Sequence, residues 1–142
     1  MNIPLLLLLT FFWQIPNAWS FSKISEKGFT SAKVCGECHQ AIYKGWKESM
    51  HANAVKDPIF YPIFLEASQR TAGKSDALCL SCHAPTTRLT KDYRLDSPIT
   101  SEGVTCDFCH SVRGVRLNEP DPFVIEKTKK KWGPLKDIAS PF

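Results

Sequence analysis

Apolar residues recur along this chain with a helical period more often than with a strand period. Val34, Cys38, Ile42, Trp46 and Met50 fall every four residues and form one stripe, which predicts a helix from a Ser31 N-cap to about Met50. Fraying is expected over Ala52–Val55, ahead of Asp57-Pro58. Pro58 or Pro62 starts a second helix, running from Ile63 to about Thr71 and ended by Gly73. Asp76 is read as the cap of a short helix over Cys79–His83, stopped by Ala84-Pro85. Residues 86–100 read as loop with a short strand near Tyr93–Leu95, and Ser101 as the cap of a short helix over Cys106–His110. Val112–Leu117 and Phe123–Ile125 have the alternation of strand-like segments or a small hairpin. The expected class is mainly α with long loops and little β.

Two stretches lie outside this pattern. Ile3–Trp13 is a continuous apolar run, too short for a membrane span of about 20 residues. Small residues at Ala18 and Ser20 mark a cleavage site, so residues 1–20 read as a signal peptide and 21–142 as one exported domain, periplasmic or equivalent. The run lacks the usual Lys or Arg before it, which leaves an uncleaved N-terminus lying on a membrane as the alternative. Residues 21–30 look like a flexible leader.

The chemistry is carried by cysteine and histidine. The chain has six cysteines and four histidines. All six cysteines lie in three Cys-x-x-Cys-His sequences: Cys35/Cys38/His39, Cys79/Cys82/His83 and Cys106/Cys109/His110. This is the attachment signature of c-type haem, two thiols for thioethers and an imidazole for the iron. At about 3% histidine, three such coincidences come to roughly 10⁻⁵ by chance. Paired zinc knuckles or a disulfide scaffold would explain the cysteines but not the trailing histidines. The sequence therefore predicts three covalent haem c groups, whose porphyrins supply much of the core.

Three irons have six axial positions. His39, His83 and His110 fill three as proximal ligands, and His51 is the only histidine left. On a continuous helix His51 would lie about 18 Å from His39 along the axis, so it should serve a different haem. Met50, Tyr43, Tyr61 and Tyr93 are other conceivable ligands, with Met50 more naturally a packing residue of the stripe. Tyr43 and Trp46 are read as ring contacts to porphyrin or as ordinary core. The formal charge of +4 is offset by about six haem propionates, so it does not argue for nucleic acid, for which no motif is present. The basic run Lys129–Lys131 reads as a solvated face or a patch for an acidic partner.

These residues carry a family resemblance. Cys35-Gly-Glu-Cys-His39, with Tyr43, Trp46, Ser49, His51 and Ala52 at their spacings, resembles the cytochrome c554 family of multihaem cytochromes. So do Cys79-Leu-Ser-Cys-His83-Ala84-Pro85 and Glu102-Gly-Val-Thr-Cys106-Asp-Phe-Cys-His110-Ser111. The similarity spans about residues 31–112. It implies a mostly helical fold with long loops and haems in close pairs, as in octahaem hydroxylamine oxidoreductases. It further implies His51 as distal ligand of the third haem and a second haem that can be five-coordinate. The family's fourth motif and further distal histidines have no counterpart here, which suggests a fragment of a longer chain. The function this implies is periplasmic electron transfer through the haems, with redox proteins as partners: other cytochromes, or a quinol-linked or nitrogen-cycle oxidoreductase. The alternative is an enzyme acting on nitrite, hydroxylamine or nitric oxide at a five-coordinate haem.

Overall fold

The computed structural model describes residues 28–127 and 131–134. The signal peptide expected over residues 1–20, the leader expected from residue 21 as far as residue 27, and Lys129 and Lys130 lie outside them. Seven helices and a two-stranded sheet are present among the described residues. They are α1 (Ala32–Cys38), α2 (Gln40–Lys47), α3 (Met50–Asn53), α4 (Phe60–Thr71), α5 (Asp76–His83), α6 (Thr87–Thr90), α7 (Cys106–Cys109), β1 (Val112–Val115) and β2 (Phe123–Ile125). Long connections separate them, so the expected class, mainly α with little β, is what is found. None of these helices is long and apolar enough to cross a membrane.

The single helix expected from Ser31 to Met50 is three. Ser31 is the N-cap, its hydroxyl accepting from Lys33 N. The first break falls at His39, which has φ −98° and ψ 52° and serves both as C-cap of α1 and N-cap of α2. The second falls at Glu48–Ser49, where Ser49 turns extended and its hydroxyl donates to Trp46 O at 2.6 Å. Serine hydroxyls compete for helix carbonyls in this way, a signal the apolar period does not carry.

Other boundaries shift for local reasons. α4 begins at Phe60 because Asp57 Oδ1 accepts from Ile59 N and Phe60 N, at 3.0 and 2.7 Å. It ends in left-handed Ala72 and Gly73. Ser75, not Asp76, is the residue before α5. Residues 93–95 are turn, not strand, and α6 precedes them. Asp92 builds that turn by accepting from Ser97 N and Thr100 Oγ1, at 2.9 and 2.5 Å. Burial disfavours its charge, but the hydrogen bonds outweigh this and hold its carboxyl below the usual value. The cap of α7 is Thr105, whose hydroxyl accepts from Phe108 N, while Ser101 donates to Pro98 O. The expected hairpin forms: β1 and β2 are antiparallel, pairing Val112 with Ile125 and Val115 with Phe123.

Two small cores result. One gathers Val55, Phe64, Leu80 and Ala84, with Phe60, Cys79, Tyr93 and Leu95 packed against it. The other gathers Phe29, Ile99 and Phe108 beneath the hairpin residues Val112, Phe123 and Ile125. Phe29 is fully buried and Thr30 nearly so, which corrects the flexible leader expected to run to residue 30. Arg88 links the two cores. It donates through Nε to Ser81 O at 3.0 Å, lies 5.1 Å over the Phe123 ring and pairs with Asp121.

Candidate cofactor-attachment site

All three Cys-x-x-Cys sequences lie on helical turns, α1, α5 and α7, with the histidine at or just past the helix end. A helical turn puts residues three apart on one side, so each cysteine pair faces the same way. The motifs also share an exposure pattern: Cys35, Cys79 and Cys106 are half-buried, while Cys38, Cys82 and Cys109 are exposed. All six are free thiols, and among the described residues no group of three His, Cys, Asp or Glu side chains could hold a metal ion.

The first and third motifs meet. Helices α1 and α7 are in contact, and the Cys35 and Cys106 thiols are each the leading influence on the other's acidity. Cys35 pulls the Cys106 thiol down to about 7 against the opposing effect of burial; Cys106 together with burial pushes Cys35 up. Burial and then the Cys106 charge push Cys109 up as well. Glu102 completes the join, its carboxylate accepting from Ser31 Oγ and, at 2.9 Å, from Ala32 N. The second motif stands apart on its own core.

His51 is placed beside the third motif. Its carbonyl accepts from Val104 N at 2.9 Å, and the Trp46 indole donates to Val104 O at 2.8 Å. Gly103 makes the approach possible: φ is +76°, and a Cβ there would lie 2.5 Å from His51 O. The separation argued from a continuous helix therefore loses its premise. What holds His51 near the third motif is the bond from Val104 N to its carbonyl and the close approach of Gly103, and the residue itself is exposed.

The three motif histidines are held differently. His83 Nδ1 lies 2.8 Å from Ala54 O, and the Phe60 ring stacks on the imidazole at 3.5 Å between centroids and 5° between planes. His110 Nδ1 lies 2.6 Å from Trp132 O. With a proton on Nδ1, each ring keeps its Nε2 lone pair for a metal. These donor sets fit haem iron. His39 has no such carbonyl among the described residues. Sequence reasoning missed Ala54, Phe60 and Trp132, because backbone carbonyls carry no residue signature and all three are distant in sequence.

The remaining candidates are scattered. Met50 is 65% exposed and Tyr61 lies on an exposed face of α4, while Tyr93 packs on the core of the second motif. Tyr43 stacks on Trp46 at 5.7 Å and presses on α1 so closely that a Cβ at Gly36 would meet its ring at 2.5 Å. Lys131 donates to the buried carboxylate of Asp107, so it is not part of a free basic patch.

A family model described as "Cytochrome c554 and c-prime" matches residues 34–111. Among solved structures the chain is similar to a penta-haem cytochrome c552 from Thermochromatium tepidum, at 29% identity with a TM-score of 0.57. The match covers 70% of this chain and 31% of that one. No curated protein matches.

Proposed function

The chain belongs to the cytochrome c554 family of multihaem c-type cytochromes, and on that footing we propose that it is an exported electron-transfer protein carrying three haem c groups. Cys35 with Cys38, Cys79 with Cys82, and Cys106 with Cys109 anchor the porphyrins. His39, His83 and His110 are the proximal ligands, and His51 is the distal ligand of the third haem. Haem supplies reversible one-electron chemistry; the protein contributes spacing, ligand orientation and shielding from water.

The observation that carries this reading is the packing of α1 on α7, tied together by Glu102. Each thioether would fix one porphyrin edge at its cysteine, so two porphyrin edges would come together where these two helices meet. That juxtaposition supports direct electron exchange between the first and third haems, with the second haem held separately by α5. Ile42 on α2 and Met50 at the start of α3 are exposed, which fits their covering by a porphyrin.

Residues 1–20 act in this reading as the export signal and 21–142 as the haem domain, with redox proteins as partners. The test is direct. Mass spectrometry of the purified holo-protein should give the mature chain from Phe21 plus three haems. Electron paramagnetic resonance should show magnetic coupling between two of them. One or two haems by mass, or three uncoupled signals, would refute the arrangement.

A second reading rests on ligand arithmetic: four histidines cannot fill six axial positions. A haem left without a second ligand would bind nitrite, hydroxylamine or nitric oxide. A high-spin ferric signal abolished by nitric oxide, with turnover of the ligand, would favour it over simple electron transfer.

A further inference from the structure

Residues Lys131–Pro134 return across the third motif, where Trp132 bonds to His110 and Lys131 to Asp107. Trp132 N donates to His110 O at 2.8 Å, and Trp132 O lies 2.6 Å from His110 Nδ1. Two bonds to one residue fix both the backbone and the ring of His110. Gly133 lies against the same imidazole, where a Cβ would be 3.7 Å from Cε1 and Nδ1. The strap is fastened at both sides. Lys131 pairs with Asp107, which is buried and also accepts from Thr30 N at 2.5 Å. The Trp132 ring lies under the Arg113 guanidinium at 5.6 Å. A buried carboxylate needs such partners, so the Lys131–Asp107 pair is a costly contact to break.

We propose that Lys131–Pro134 is a positioning strap that holds the His110 imidazole with its proton on Nδ1 and thereby sets the reduction potential of the third haem. This rests on His110 being an iron ligand. A carbonyl accepting from Nδ1 makes the imidazole a stronger donor. Stronger donation favours ferric iron, so the strap lowers the potential of that haem and leaves that of the separate second haem alone. Trp132 is a positioning residue through its backbone rather than its ring.

The test is a redox titration of the holo-protein carrying Trp132→Pro, which removes the amide donor that anchors the strap to His110 O and so lets its carbonyl leave Nδ1, without changing charge. One of the three reduction steps should move upward, about tenfold in its equilibrium constant or ~59 mV, with the step of the separate second haem unmoved. The conservative Trp132→Phe keeps both backbone bonds and should restore the wild-type step. An unchanged or lowered step overturns the proposal. If Trp132→Pro does not mature with its haems, nuclear magnetic resonance of the reduced wild-type decides. The Nδ1 protons of His83 and His110 should exchange slowly with solvent and that of His39 rapidly. Rapid exchange at His110 overturns the strap. His110→Ala separates the two failures. If it leaves every haem spectrum unchanged, the ligand assignment has failed; if it alters one haem that Trp132→Pro does not, only the strap has.

Discussion

Leu80 and Ile42 occupy comparable places, one inside the second Cys-x-x-Cys-His sequence and the other three residues past the first. Leu80 is fully buried, whereas Ile42 is 68% exposed. The contrast extends to the elements around them. The second motif rests on α4, on the turn built by Asp92 and on a closed set of apolar side chains. Around the first motif, α2 buries no residue at all, although its apolar positions fall on one side. One region is therefore a small closed protein core that carries a Cys-x-x-Cys-His sequence on its surface. The other has an apolar face of the kind a cofactor must cover. An apolar stripe in the sequence reports that a face is to be covered, and does not say by what.

The comparison can be broken or sharpened by substitution, all in the holo-protein. Leu80→Ala should have the largest effect, about 2–5 kcal/mol of stability in denaturant unfolding, because it opens a hole in a packed core. A loss under about 1 kcal/mol would mean that the second region leans on its porphyrin as much as the first. Gly103→Ala comes next, at roughly 1–3 kcal/mol, because its left-handed backbone and the His51 carbonyl both reject a side chain. Its spectroscopic effect should appear in one haem only, the third. Ile42→Ser should cost about 1–2 kcal/mol if a porphyrin covers that face. A change within about 0.5 kcal/mol would show instead that Ile42 meets water.

Acid gives the smallest effect. Asp92 has a depressed carboxyl value, so its contribution is present above the unfolded value of about 3.9 and is lost as pH falls through the lower folded value. Unfolding below about pH 4 should begin around Tyr93 and Leu95, and Asp92→Asn should remove that part of the pH dependence. Hydrogen exchange across this range checks it.

Much of the candidate site was legible because its signals are local. Cys-x-x-Cys-His is read within five residues, Ser31 and Pro85 mark ends by their own chemistry, and the hairpin shows in its alternation. What was not legible depends on distant partners. The helix break at His39 follows no breaker residue. Phe29 and Thr30 look like a leader until Phe108 and Asp107 are brought to them from nearly eighty residues on. Thr105 outcompetes Ser101 as a cap because Ser101 is engaged with Pro98. The carbonyls that orient His83 and His110 belong to residues whose side chains have no part in the task.

Glu102 caps a helix seventy residues before it. A chain synthesised from its N-terminus presents Cys35 and Cys38 before that carboxylate exists. α1 alone is seven residues with no acidic residue in its first turn, far too short to hold its shape unaided. The N-terminal end of α1 therefore gains this cap only once the segment that carries the third motif has folded back to it.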